Sequence, residues 1–300
     1  MKGTVLSDNR TCNDQLQTEH GLSVLLETEK HRILLDTGAS DVFIRNAERL
    51  RVGDQGAGMK IGIDLSMVDY VFISHGHSDH AGGLKHFMEI NTQAQVIVSP
   101  DALKGKYFSK RRYLHSITTE WPEIPQERLL KIEHSERIDD GIFIIAHIPQ
   151  IHPMPEGNQH LFIEKSDGSY VNDDFRHELA LYTDGLLFTG CAHSGLENIL
   201  AACPFPVNTV VGGFHLLDDY ELTEQREPSS SLEWPSRDGS RRSQSEDKLS
   251  ELAYRLTDAY PQTQFYTSHC TGDEVFATLK TIMGNQLHAF SCGTTYPISR

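Results

Sequence analysis

The sequence predicts an α/β protein in which two mixed β-sheets are flanked by helices. Three features carry that expectation. Short β-branched or leucine-rich runs recur along the chain between glycine- and asparagine-rich punctuation, as strands do. Stretches with helical apolar spacing lie between several of these runs. Hairpins such as Tyr182-Thr-Asp-Gly-Leu186 add antiparallel pairs to this strand–helix alternation, which points to layered sheets with helices against them.

Taken in order, Leu22–Leu26, Arg32–Leu35 and Tyr70–Ile73 read as early strands. Gln95–Val98, Ile142–Ile145, His160–Ile163 and Leu179–Tyr182 follow, and Leu186–Thr189, Val207–Val211 and Gln264–Thr267 complete the set. Helical spacing appears near 40–50, 82–90, 195–202, 246–260 and 273–283. The second of these follows Gly82-Gly83, and the last follows Gly272 with Asp273 and Glu274 in its first turn. Two segments look inserted. Residues 51–62 hold four glycines and little periodicity, and 218–247 are rich in Ser, Arg, Asp and Glu without a hydrophobic pattern. Histidine-bearing, strand-like sequence resumes after the second, so residues 1–300 read as a single domain carrying two inserted loops.

Composition removes several classes of function. Of 300 residues, 38% are hydrophobic and 8% aromatic, enough for a core and against wholesale disorder. Lys+Arg total 27 against Asp+Glu 42, a formal charge of -15. Such a surface repels phosphate backbones and anionic membranes, so neither nucleic acid nor a membrane is the expected partner. A small-molecule substrate is expected instead; the sequence sets no oligomeric state. The opening MKGTVLSDNRTCND has no apolar run long enough for a signal peptide, and nowhere do roughly 18 apolar residues run together. The expected location is cytoplasmic. Five cysteines, at 12, 191, 203, 270 and 292, form no CxxC pair and do not look like a disulfide framework.

The chemistry concentrates in Asp69-Tyr-Val-Phe-Ile-Ser-His75-Gly-His77-Ser-Asp79-His80-Ala-Gly-Gly83. A buried strand ends there, and within six residues the chain presents three imidazoles and a carboxylate. His75 and His77, two apart, point the same way in extended backbone. Asp79 and His80 point elsewhere as the chain turns into a helix, so one pair can hold one cation while the next holds a second. Neutral imidazole and carboxylate suit zinc, iron or manganese. Lone histidines are usually solvated or core residues; four metal-ligating groups after a buried strand are not.

HxHxDH after a hydrophobic strand resembles the signature of the metallo-β-lactamase superfamily, which implies an αβ/βα sandwich with metals at the edge between two sheets. Asp8-Asn9, Gly21-Leu-Ser-Val, Ile33-Leu-Leu-Asp36-Thr-Gly38 and Asn46 resemble the opening of one branch of it. Thr189-Gly-Cys-Ala-His193-Ser-Gly195, Gly212-Gly-Phe-His215-Leu216 and Ser268-His269-Cys270-Thr-Gly272 do so as well. That branch includes dihydropterin ribofuranosyl-aminobenzene phosphate synthases and proteins called simply metal-dependent hydrolases.

Carried over, the resemblance implies that His75, His77 and His193 hold a first metal and that Asp79, His80 and His269 hold a second. The expected cofactors are two divalent cations, zinc first, with iron or manganese as alternatives. Where the superfamily usually carries a bridging aspartate after glycine, this chain has Cys191: either its thiolate ligates, or the site lacks a protein bridge, or it is a plain buried cysteine. His215 either faces the substrate, as a general acid, or is structural. Asp36 is expected to orient a ligand imidazole through its other nitrogen, and Asp8 and Asn9 either line the cleft or form a turn. His152, His160 and His177 match no motif and read as surface or core histidines.

The leading expectation is a binuclear hydrolase in which two cations acidify a water that attacks a small, phosphate-containing ester, with Asp79 orienting that water. The branch name implies an alternative, a transferase condensing a pterin diphosphate with an aryl amine. Cys191 and Cys270, each near a ligand in sequence, motivate a third: a metal- or redox-sensing protein without turnover. Diiron oxidoreductases of the same fold resemble HxExD, and His77 argues against their chemistry.

Overall fold

Arg32–Leu35 and Gln95–Val98 are apolar at consecutive positions, so a sheet containing them must be covered on both faces. The computed structural model describes residues 1–52, 60–111, 113–218, 242–243 and 246–297. Its first seven-stranded sheet runs, edge to edge, Leu129–Lys131, Gln95–Val98, Tyr70–Phe72, Arg32–Leu35, Ser23–Glu27, Lys2–Ser7, Thr295–Pro297. The second runs Glu136–Asp139, Ile142–Ile145, Ala180–Thr183, Leu186–Phe188, Thr209–Val211, Gln264–Thr267, Leu287–Ala289.

The period of two along each strand sorts its side chains between layers. Val24, Leu26, Ile33, Leu35, Phe72 and Ile97 meet Ile142, Leu181, Leu186, Phe188 and Val211 in a core between the sheets. Leu25, Leu34, Val71 and Val96 point the other way, against Phe43 and Ala47 of the helix Val42–Arg49 and Leu84 and Phe87 of the helix Leu84–Ile90. On the far side of the second sheet, Leu187, Val210 and Phe265 are covered by the helices Leu196–Ala202, Glu246–Ala259 and Asp273–Met283. The layers therefore run helix, sheet, sheet, helix, as the fold class predicted.

Parallel pairing sets where the loops emerge. Leu35, Phe72 and Ile97 stand in parallel register in the first sheet, as do Phe188, Val211 and Tyr266 in the second. The carboxyl ends of parallel strands lie at one edge, and the segments that follow them (73–80, 189–195, 212–216 and 268–272) start there.

Several expectations need correction. His160 closes the 3-10 turn Glu156–His160, and the strand runs Leu161–Glu164 in a separate four-stranded sheet with Tyr170–Asn172, Tyr107–Lys110 and Leu114–Ser116. Lys2–Ser7, Leu129–Lys131, Glu136–Asp139, Leu287–Ala289 and Thr295–Pro297 are strands that no apolar pattern announces; they are short or polar, and pairing with neighbours makes them strands. The two segments read as loops each begin in a two-residue ladder, Arg51–Val52 with Lys60–Ile61 and Leu217–Asp218 with Arg242–Ser243. Of those loops, residues 53–59, 219–241 and 244–245 lie outside the described residues. The hairpin at Tyr182–Leu186 turns as expected, with positive φ at both Asp184 and Gly185. Among the described residues no helix is long and apolar enough to cross a membrane.

Phe72 and Phe188 meet edge to face across the two sheets, ring centroids 6.1 Å apart, both fully buried. Phe188→Ala deletes that contact where the inter-sheet core has nothing to fill the gap. We expect a loss of about 3–5 kcal/mol, read from the shift of a urea unfolding curve.

Candidate metal centre

The strand Tyr70–Phe72 delivers His75, His77, Asp79 and His80 to the edge between the sheets. Beyond Ile73 the chain leaves the sheet, His77 caps the single turn Ser78–Ala81, and Leu84 opens the next helix. Asp36, fully buried at the end of the neighbouring strand, holds this turn in place. It accepts the Ser74 backbone N–H at 2.7 Å, the Ser74 hydroxyl at 2.7 Å and the His80 Nδ1–H at 2.6 Å.

Those bonds decide which imidazole nitrogen is bare. A carboxylate only accepts, so His80 carries its proton on Nδ1 and turns Nε2 to the cleft. The Ser74 hydroxyl has given its proton to Asp36, so its 2.8 Å contact with His75 Nδ1 is donated by the imidazole. Asn158 donates Nδ2–H to the His193 carbonyl at 2.7 Å, which leaves its Oδ1 to accept His193 Nδ1–H at 3.1 Å. Asn9 does the same for His269, with Oδ1 3.0 Å from Nδ1. Four imidazoles from three loops are thus locked in one tautomer, Nε2 inward.

The inward atoms fall into two groups. Ligand atoms of His75, His77 and His193 lie within 4.8 Å of one another, and their Nε2 atoms are buried without a hydrogen-bond partner. Burial pulls all three imidazoles below their ordinary pKa, His77 to about 3, so they stand neutral with lone pairs exposed to each other. In the second group His80 Nε2 lies 3.2 Å from His269 Nε2, while Asp79 Oδ2 is 3.7 Å from the first and 3.3 Å from the second. Ligands about 2.1 Å from a tetrahedral cation stand about 3.4 Å apart, which this trio matches. Two lone pairs at 3.2 Å repel unless a proton or a cation sits between them. In the metal-free chain, against the pull of burial, the Asp79 hydrogen bond and the neighbouring Cys270 push His269 up to about 9. Burial opposes the charge on Asp79 as well, but His80, His269 and His20 hold its carboxyl well below the usual range. The residues present fit two cations.

The remaining expected residues also converge here. Cys191, 3% exposed, places Sγ 3.0 Å from His80 Nε2 and 3.3 Å from Cys270 Sγ, and burial pushes its thiol up. It shares ligand-distance groups with His75 and His80, with His193 and His215, and with His269 and Cys270, so it stands between the two trios. Gly190 before it has φ 59°, and a Cβ there would collide with the Ser74 side chain. His215 has left-handed backbone, φ 46°, a ring 4.2 Å from that of His193, and both ring nitrogens buried without a partner. Asp8 braces the His269 loop by accepting the Ser268 hydroxyl at 2.8 Å, and Asn9 orients His269 itself, which gives both a defined part beyond a turn.

His177, expected to be an unconnected histidine, belongs to the site. Its Nδ1 accepts the Gly76 N–H at 3.1 Å and its Nε2 meets Asp173 at 3.0 Å, so it anchors the backbone between His75 and His77. Glu178, next along, accepts the N–H groups of His193 and Ser194 at 2.7 Å each. Sequence reasoning missed Glu178, Asp173, Asn158 and Ser74, along with His20, whose Nε2 lies 3.4 Å from Asp79 and whose ring stacks on His269. A carboxylate directly before the apolar run Leu179-Ala-Leu is a signal for Glu178; the others carry none. His152 and His160 stay outside these groups.

Comparison with known proteins agrees with this layout. Residues 17–168 match the model of the metallo-beta-lactamase superfamily. The chain is 33% identical over 218 residues to an uncharacterized protein of Methanocaldococcus jannaschii, covering 71% of this chain and 78% of that one. It is 28% identical over 244 residues to that organism's 7,8-dihydropterin-6-methyl-4-(β-D-ribofuranosyl)-aminobenzene-5'-phosphate synthase, covering 72% and 77%. A crystal structure described as a metal-dependent hydrolase of the beta-lactamase superfamily aligns over 100% of both chains with TM-score 0.70 and 26% identity.

Glu178→Gln sets an NH₂ group against one of the two backbone N–H donors of the His193 loop. One buried N–H then goes unsatisfied, and the metal-free protein is expected to lose about 1–3 kcal/mol by urea titration. Unchanged stability would mean that the loop holds itself.

Proposed function

Because the chain belongs to the metallo-β-lactamase superfamily, we propose that it is a metal-dependent hydrolase acting on a small, phosphate-containing ester, with His75, His77 and His193 holding one divalent cation and Asp79, His80 and His269 a second. One observation carries this reading: the buried Nε2 atoms of His75, His77 and His193 face one another without a hydrogen-bond partner, with His75 and His193 fixed in tautomer from behind. Bound there, two cations supply Lewis acidity toward a phosphoryl or carbonyl oxygen and acidify a water at neutral pH.

The chain's own side chains supply orientation. Asp79 turns Oδ2 toward His80, His269 and His20 and can accept a hydrogen bond from the attacking water, fixing its approach. Asp36, Asn158 and Asn9 keep the imidazoles from rotating. His215, at the first trio with both ring nitrogens uncommitted, is placed to donate a proton to a leaving-group oxygen. Cys191, between the trios, is the residue to bridge them.

The similarity to a synthase supports a second reading, transfer of a pterin group to an aryl amine with loss of diphosphate. The two diverge in their products.

Elemental analysis of protein purified without chelator is the first measurement. About two cations per chain are expected, falling towards one in Asp79→Ala and in His193→Ala. The loaded protein should hydrolyse members of a phosphoester panel, with a loss of at least about 100-fold in Asp79→Ala. One cation or none, unchanged by His193→Ala, would remove the binuclear assignment. A dihydropteroate-like product from a pterin diphosphate and an aryl amine, with no ester hydrolysed, would replace hydrolysis by transfer.

A further inference from the structure

Hydrolysis at a two-cation centre needs at most one thiolate between the trios, yet the cleft holds two thiols. Cys191 ends the turn after Leu186–Phe188, and Cys270 follows His269 in the loop after Gln264–Thr267. Their sulfurs are 3.3 Å apart. Cys270 is wedged: a Cβ on Gly213 would collide with its sulfur, and the His215 N–H donates to it at 3.3 Å. The other thiols are engaged elsewhere. Cys12 points to the Cys292 carbonyl at 3.4 Å, Cys292 to the Leu6 carbonyl at 3.2 Å, and Cys203 to the Phe205 carbonyl at 3.6 Å.

We propose that Cys191 and Cys270 form a peroxide-reactive dithiol whose closure to a disulfide withdraws Cys191 from the metal centre. Closure requires the sulfurs to approach from 3.3 Å to about 2.05 Å. Cys270 is half-buried and meets the oxidant; Cys191 is 3% exposed and resolves the product. The Cys270 sulfur attacks one oxygen of hydrogen peroxide, breaking the O–O bond to give a sulfenic acid and one water. The Cys191 sulfur then displaces the hydroxyl from Cys270 as a second water. Two thiols are oxidised by two electrons, one peroxide is reduced, and both thiol protons leave in water.

The coupling to metal follows from position and rests on the hydrolase reading above. Cys191 Sγ lies 3.0 Å from His80 Nε2 and within ligand distance of His75. A sulfur bonded to Cys270 has no anionic lone pair to give a cation. Bound metal should protect the pair, and oxidation should weaken metal binding.

The test uses the full chain, stripped by chelator or loaded with zinc, each treated with hydrogen peroxide and compared by intact mass and non-reducing peptide mapping. The stripped chain is expected to lose two hydrogens, with peptides containing residues 191 and 270 joined and dithiothreitol separating them. The loaded chain should react at least about tenfold more slowly. The oxidised chain, returned to zinc, should hold less than the reduced chain, and reduction should restore the difference. Cys270→Ser should form no disulfide. Free thiols in the stripped chain, or a bond joining 12 to 292, would overturn the dithiol while leaving the reduced chain's zinc content to test the hydrolase separately. A disulfide that forms equally fast with zinc bound, or that leaves zinc content unchanged, would overturn the coupling.

Discussion

The centre depends on one buried carboxylate. Asp36 has no exposed surface and receives three hydrogen bonds from two residues of the neighbouring loop. A carboxylate so placed would be costly without donors, and the donors it finds are the ones whose direction matters. By accepting from His80 it fixes that tautomer directly, and by accepting from the Ser74 hydroxyl it fixes His75 at one remove. Its own backbone lies in the left-handed region, φ 56°, which aspartate tolerates better than most residues.

Around Asp36 the site is assembled by mutual bracing across loops. Asn158 reaches His193, Asn9 reaches His269, and His177 and Glu178 hold the backbones of the two loops that carry the first trio. The Leu179 N–H donates to the Ser74 carbonyl at 2.7 Å, tying the second sheet to the first at the same level. Ala192, His215 and His269 share left-handed backbone with Asp36, so the three loops that carry them hold local strain. That strain persists because the sandwich beneath is packed on three levels, and loops on rigid sheet ends can be held to the tolerance that a metal site demands.

This division explains what the sequence could reveal. The sandwich was legible because its strands obey a period of two with apolar residues on both faces, and its helices carry apolar stripes. The candidate ligand cluster was legible because four side chains of metal-ligating type fall within six residues. His193, His269, Cys191 and His215 were reached through resemblance rather than spacing, since they sit on loops far apart in the chain. The bracing groups stayed hidden for a physical reason. Asn158, Asp173 and Ser74 act through hydrogen bonds to residues or backbone that only folding brings near, and a lone polar residue in a loop looks like solvated surface. The strands that escaped did so because pairing with a neighbour, not their own composition, makes them strands.

With Cys191 as the proposed bridge, a cysteine in place of a carboxylate would change more than one ligand. Aspartate offers two hard oxygens and resists oxidation; a thiolate offers one soft, polarisable donor that favours zinc over manganese or magnesium. It also makes the centre sensitive to whatever stands behind it, and here a second thiol does. On the reading proposed above, a sulfur holding a cation 3.3 Å from a second thiol would be stable only while the cation occupies its lone pair or the surroundings are reducing. The two unusual features of the site, a cysteine where the superfamily usually has aspartate and its neighbour in the next loop, have one consequence under the proposal above: metal occupancy and thiol oxidation would compete for the same atom, Sγ of Cys191.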